Sequence, residues 1–231
     1  ELARLSDAVT TEFENVPAAA LATLAAQRPE SPTASAVAVA QDRALEKAHF
    51  VRCGVPCAPF AVIDTAEQLA AVTEDPSAPS GGSAPHAVGS VGAHLLPGIL
   101  KTARMGYDGK GQVRVQTAAD LAAAWAAVGK VPCVLEKMLP LQLECSVIVA
   151  RGADGTLVHL PVQRNLHRDG ILAVIEVYEQ NMPPALIAQA VAAAKSVANG
   201  LQYVGVLCVE FFVLQTGELV VNEIAPRPHN S

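Results

Sequence analysis

The sequence predicts an α+β fold. Three observations carry that prediction. Alanine-rich helical stretches are interleaved with short runs of Val, Ile and Leu. Asp154-Gly155 lies between two such runs, where a hairpin turn belongs. Thr216-Gly217 lies between two more, so antiparallel pairs are expected rather than a purely parallel sheet. The 231 residues are 51% apolar and 16% charged, which suits a globular chain of one large domain or two small ones.

The elements follow in order. Residues 1–35 hold Thr11-Glu12-Phe13-Glu14-Asn15, a helix near Ala18–Ala26, and a loop marked by Pro29, Ser31 and Pro32. Residues 41–50 read as a helix. The turn Cys53-Gly54-Val55-Pro56 leads to a short strand near Phe60–Ile63. Thr65-Ala66-Glu67-Gln68 is a capping box that opens a helix to about Val72. Residues 75–93, rich in Pro, Ser, Gly and Ala, read as a flexible insertion. Ile99-Leu100-Lys101 is a strand, and Gly106 to Gln112 a glycine-rich loop. Thr117 caps a helix that Gly129 ends. Val131–Leu135 and Ser146–Arg151 are strands, and Asp154-Gly155 turns the chain into Leu157–Val162. Ile171–Val177 is a further strand. Pro183 and Pro184 precede a helix over Ala185–Asn199, capped by Gly200. Val206–Leu214 and Glu218–Ile224 are the last two strands.

Composition excludes several classes. The net charge of −6, with scattered Lys and Arg, leaves no basic face, so nucleic acid is not an expected partner. The five cysteines are odd in number and form no Cys-x-x-Cys pair. They read as free, mostly buried thiols, not as a disulfide framework or a structural zinc site. No apolar run reaches the length of a membrane span and no signal peptide opens the chain, so no membrane is expected and the cytoplasm is the simplest compartment. Glu1 and Ser231 both look like cut ends of a longer protein.

The sharpest chemical inference concerns the last two strands. A two-residue turn at Thr216-Gly217 sets Gln215 opposite Glu218, and counting back along both strands sets Glu210 opposite Glu223. Cross-strand partners have Cβ atoms about 5 Å apart. Two like charges at that range on apolar strands are costly: one carboxylate takes a proton, or a cation sits between them. Magnesium prefers a few carboxylates plus phosphate oxygens. A longer turn changes the register and leaves two unrelated carboxylates.

Two further segments carry polar chemistry. Lys101 ends a strand just before Gly106-Tyr107-Asp108-Gly109-Lys110-Gly111-Gln112, whose glycines let backbone approach an anion while Lys110 neutralises its charge. The spacing is neither GxGxxG nor a Walker A sequence, and a plain hairpin loop with a surface lysine has the same composition. After the final strand, Pro226 and Pro228 stiffen the segment that carries Arg227, suited to bidentate binding of carboxylate or phosphate, and His229. The bland alternative is a solvated loop.

Taken together these segments resemble the ATP-grasp family, and within it the 5-(carboxyamino)imidazole ribonucleotide synthases of purine synthesis. The resemblance rests on Thr11 to Asn15, Gln41-Asp42-Arg43, Leu100-Lys101-Thr102, GYDGKGQ over 106–112, Asn165, His167, Gly170-Ile171-Leu172, Val209-Glu210-Phe211-Phe212 and NEIAPRPHNS over 222–231. It implies an ATP-grasp fold over 36–231, with 1–35 as the remnant of an N-terminal pre-ATP-grasp domain and the C-terminal domain missing. It implies ATP-dependent carboxylation of aminoimidazole ribonucleotide by bicarbonate through carboxyphosphate. ATP and Mg2+ are the cofactors, and the family is dimeric.

The resemblance also implies roles. Arg43 and Lys101 contact ATP phosphates. Gly106, Gly109, Lys110, Gly111 and Gln112 form a flap over the triphosphate, with Tyr107 and Asp108 near the nucleotide substrate. Glu136, Lys137, Met138 and Leu139 line the adenine site, where backbone groups read the base edge. Glu144 accepts from the ribose hydroxyls, and His167 approaches the nucleotide. Glu210 and Glu223 bind magnesium with Asn222 beside them, while Arg227 and His229 hold carboxyphosphate. The chain departs from the family in its lost terminal domains, in the long 75–93 segment, and in Gln163-Arg164-Asn165, where a more acidic version is expected. Rival readings are a formate-using purine transformylase, a biotin-carboxylase relative, a nucleotide-binding module without turnover, and a structural α+β domain with no ligand.

Overall fold

The computed structural model describes residues 1–74, 95–106, 111–168, 171–178 and 180–229. The 75–93 segment and the loop residues Tyr107, Asp108, Gly109 and Lys110 lie outside them. Among the described residues no helix is long and apolar enough to cross a membrane.

The first helices are α1 (Leu2–Leu5), α2 (Ala18–Ala25), α3 (Ala34–Ala40) and α4 (Arg43–Arg52). Asp42 starts α4: its carboxylate accepts from the amides of Ala44 at 3.0 Å and Leu45 at 3.3 Å. Helix α3 is an addition to the sequence reading, because its short Ala-Ser-Ala-Val run is too brief to show a period.

A four-stranded antiparallel sheet follows, ordered β1 (Phe60–Ile63), β4 (Cys133–Lys137), β2 (Gly98–Thr102), β3 (Gln112–Val115). Helices α5 (Ala66–Glu74) and α6 (Ala118–Ala127) cover it. Both begin with the predicted caps: Thr65 and Gln68 bond reciprocally at 3.1 and 3.3 Å, and Thr117 pairs with Asp120. Ile63, Leu100, Val115, Leu121, Trp125 and Leu135 make its core. Gly111, at φ +70°, closes the β2–β3 hairpin, and a Cβ there would lie 2.6 Å from Thr102 Oγ1. Strand β4 starts two residues later than Val131.

The second sheet is larger, ordered β10 (Leu219–Ala225), β9 (Gly205–Leu214), β5 (Leu141–Arg151), β7 (Gln163–Arg168), β8 (Ile171–Glu176), with β6 (Leu157–His159) paired beside β5. Helix α7 (Pro184–Gly200) lies against one face. Val147, Val149, Leu207, Val209, Phe211, Ala190, Ala194 and Val197 form this core; each buried Val, Leu or Phe contributes roughly 1.5–3 kcal/mol.

Alternation turns Glu144, Ser146, Cys208 and Glu210 to the opposite face. Strand β7 was not predicted because its order, Gln-Arg-Asn-Leu-His-Arg, lacks apolar alternation. Gln163 and Asn165 belong to that same face: Ser146 Oγ donates to Gln163 Oε1 at 3.0 Å, and Asn165 Nδ2 donates to Ser146 Oγ at 3.1 Å.

Gly200 is not the cap expected of it. The helix runs through it to Leu201. A Cβ at 200 would lie 2.6 Å from Cys53 Sγ and 2.9 Å from His49 Cε1, so the glycine is needed for α7 to pass close to α4.

Candidate functional site

Helix α4 lies between the two sheets, and one stripe of it clasps β10. Arg43 Nη1 donates to Glu223 Oε2 at 3.1 Å. Lys47 Nζ donates to the Asn222 carbonyl at 3.0 Å, and the Ile224 amide donates to Glu46 Oε1 at 2.7 Å. Lys47 also pairs at 3.2 Å with Glu136 on β4, which has Lys101 of β2 at 3.2 Å on its other oxygen, an ion pair without hydrogen-bond alignment.

Glu210 and Glu223 are cross-strand partners, as expected, by a route that differs from the expected one. The turn is one residue longer: Leu214 N donates to Glu218 O at 2.8 Å, and Gly217 at φ +86° closes a loop over Gln215–Gly217. The strands therefore leave the turn one step out, with Leu219 opposite Val213. A bulge at Asn222 takes up one residue and restores Glu223 to Glu210. Lys47 and Glu46 hold the backbone on either side of Glu223.

The electrostatics divide the carboxylates. Burial pushes the Glu210 carboxyl up to about 8, and the Glu223 charge beside it adds to this. Partial burial also opposes ionisation of Glu223, but Arg43 and Lys101 outweigh it and hold that group below its ordinary value. Burial would raise Glu136, yet Lys47, Lys101 and Arg43 bring it to about 2. Glu46 is fully enclosed, and burial lifts it to about 8 against the pull of Lys47 and Arg43. Asn222 Oδ1 is buried without a hydrogen-bond partner. Two facing carboxylates, one of them reluctant to ionise, and an unpaired amide oxygen form an oxygen donor set that fits a hard divalent cation. Arg43 and Lys101 beside them fit phosphate.

The other expected site residues fall as follows. His167 Nδ1 lies 3.2 Å from Glu144 Oε2 across β7 and β5, without hydrogen-bond alignment. Burial raises Glu144 against the His167 attraction. His229 Nε2 lies 3.2 Å from Glu210 Oε1, and burial lowers the imidazole. Arg227 Nε pairs at 3.0 Å with Glu14 Oε2. The amides of Lys137 and Met138 already donate to Pro59 O and Pro97 O at 2.9 Å, so those two donors are not available to a base edge. Glu136 turns its carboxylate to the two lysines. Gly106 and Gln112 flank the loop residues that lie outside the described part.

Glu46 and Lys47 were missed by sequence reasoning. With Arg43 they keep i, i+3, i+4 spacing, hence one face of α4. An exposed, salt-bridged helix shows the same spacing, and only their burial, 2% and 0% accessible, separates the two.

Comparison with known proteins agrees with this architecture. The model of the ATP-grasp domain matches residues 82–231, and that of the ribonucleotide synthetase preATP-grasp domain matches 1–41. N5-carboxyaminoimidazole ribonucleotide synthase of Brucella melitensis is 40% identical over 237 residues, covering 100% of this chain and 59% of the relative. A crystal structure of an ADP complex of N5-carboxyaminoimidazole ribonucleotide synthetase superposes with TM-score 0.84 at 35% identity, covering 100% of this chain and 56% of that one. The Aspergillus clavatus enzyme in complex with ADP and 5-aminoimidazole ribonucleotide gives TM-score 0.79 at 26% identity, with 100% and 55% covered. The chain thus spans less than three fifths of the length of these relatives. With two antiparallel sheets joined through α4, and a family match over more than half its length, the chain belongs to the ATP-grasp family.

Proposed function

We propose that this chain is the central part of an ATP-dependent ligase that carboxylates aminoimidazole ribonucleotide with bicarbonate. The observation that carries the reading is the facing pair Glu210 and Glu223, bracketed by Arg43 and Lys101. Similarity to the synthases over the whole chain supports this substrate above formate or biotin chemistry.

In this reading Glu210, Glu223 and Asn222 hold Mg2+, which neutralises phosphate charge and orients the transferred group. Arg43 and Lys101 hold phosphate oxygens. Lys101 is suited to this, since burial lowers its pKa while Glu136 and the phosphates favour its charged form. Arg227 and His229 hold carboxyphosphate, and the Glu14 carboxylate sets the Arg227 guanidinium in place. Glu144 accepts from the ribose, with His167 beside it. The Leu139 amide and the backbone carbonyls of 136–139 read the adenine edge. Lys110 and the rest of 106–112 close over the triphosphate and keep water from carboxyphosphate. Phosphoryl transfer asks for positioning and charge neutralisation, which is what these residues supply.

The domain reading goes with it: 1–35 from a pre-ATP-grasp domain, 36–231 the ATP-grasp unit, and a cytoplasmic homodimer for the whole protein. ATP turnover by the full-length protein tests the substrate. Aminoimidazole ribonucleotide with bicarbonate should stimulate ADP release. Stimulation by glycinamide ribonucleotide with formate instead overturns the reading.

A further inference from the structure

Cys208, Glu210 and His229 come together on the polar face of the large sheet. One ligand atom from each, the thiol sulfur, a carboxylate oxygen and an imidazole nitrogen, lies within 4.8 Å of the other two. We propose that these three side chains form a binding site for a thiophilic divalent cation of the Zn2+ class, sharing Glu210 with the magnesium pair.

The placement follows from the fold. Cys208 and Glu210 are two apart on β9, so they point to the same face. Leu207, Val209, Phe211 and Val213 take the other face and build the α7 core, in which Cys208 has no part. Cys208 is fully buried, but on the side that carries Glu144, Ser146 and Glu210. Its cross-strand partners are Ala225 on β10, which has a small side chain, and Ile148 on β5. The chain then turns back through Pro226 and Pro228 and brings the His229 ring to 3.2 Å from Glu210.

The ordinary reading of a buried cysteine is a small apolar filler. Its position outside the apolar cluster, with two other metal-ligating groups, favours the site. Tetrahedral Zn2+ with bonds near 2.0–2.3 Å separates its ligand atoms by about 3.3–3.7 Å. His229 and Glu210, 3.2 Å apart, sit close to that spacing, and with the three ligand atoms within 4.8 Å of one another a side-chain shift of about an ångström brings the sulfur in. A thiolate, an imidazole and one carboxylate select Zn2+ or Co2+ over Mg2+, whose preference is for oxygen alone. On binding, the Cys208 proton leaves to solvent, and water fills the fourth position. Because Glu210 would be turned to this ion, the cation should act as a competitor of the Mg2+ site; that part rests on the proposed function, while the site itself does not.

The test separates the two. Co2+ is titrated into the protein without nucleotide, and the sulfur-to-cobalt charge-transfer band is recorded for wild type, Cys208→Ala, His229→Ala and a Cys53→Ala control. The expected result is a saturating thiolate band at one equivalent, abolished by Cys208→Ala, weakened by His229→Ala and kept by Cys53→Ala. No band, or a band that survives Cys208→Ala, overturns the site. Mg-ATP binding is then measured with Zn2+ present. A loss of affinity of about tenfold in wild type and none in Cys208→Ala supports competition. A charge-transfer band without any such loss keeps the site and overturns the competition.

Discussion

Two buried glutamates in this molecule have opposite fates. Glu136, on the small sheet, is brought to about 2 by Lys47, Lys101 and Arg43. Glu210, on the large sheet, is lifted to about 8 by burial and by Glu223. Both side chains are largely enclosed, at 4% and 16% accessible. The difference is what faces them. Glu136 meets two cations that more than offset its own charge, so it serves as internal support that holds Lys47 and Lys101 in place. Glu210 meets another carboxylate and leaves a charge for something else to balance. A buried carboxylate whose charge is already offset by cations reads as structure, and one left facing another carboxylate reads as a ligand site.

That contrast can be broken by substitution. The largest effect is expected for Glu136→Gln, which leaves Lys47 and Lys101 enclosed without their shared carboxylate; urea unfolding should show a loss of about 3–5 kcal/mol. Glu210→Gln, measured the same way, should cost little or should stabilise the metal-free protein. Equal losses at both positions would remove the distinction. Next in size, Glu223→Gln in the full-length protein should lower magnesium-dependent ATP turnover by about a hundredfold or more. Turnover kept at the wild-type level would sink the metal assignment.

A smaller effect sharpens the comparison through pH. Glu46 and Glu210 both move from 4.5 to about 8 on folding. A raised carboxyl binds its proton more tightly in the folded state, so its stabilisation is fully present below pH about 4.5 and is lost as pH rises to about 8. Each such group contributes up to about 1.4 kcal/mol per pH unit in that window. Metal-free protein should therefore lose stability as pH rises between those limits, and Glu46→Gln, which keeps an acceptor for the Ile224 amide, should remove about half of the slope. A flat profile in wild type would show that neither carboxyl holds its proton.

The facing of Glu210 and Glu223 was readable before any fold was known, because side chains alternate along a strand and a short turn sets the register. The turn itself was read one residue short. A bulge at Asn222 cancelled that error, and bulges leave no mark in a strand composition this uniform. Other elements were equally open: the capping residues Thr65, Gln68, Thr117 and Asp120 act within their own segment, so local sequence contains the whole interaction. Strand β7 was hidden, since its polar residues look like loop until the opposite strands supply their hydrogen-bond partners.

By itself, the sequence determined most of the helices and strands, most of their caps, the pair of carboxylates and the family motifs, because each depends on residues close together in the chain or on a strict alternation. Only tertiary structure decided the rest. It placed Arg43, Glu46 and Lys47 against β10 and β4 in the seam between two sheets, joined Arg227 to Glu14, and drew His229 to Cys208 and Glu210. Those contacts join residues far apart in the chain. The ionisation of each group depends on burial and on neighbours that only the folded chain provides.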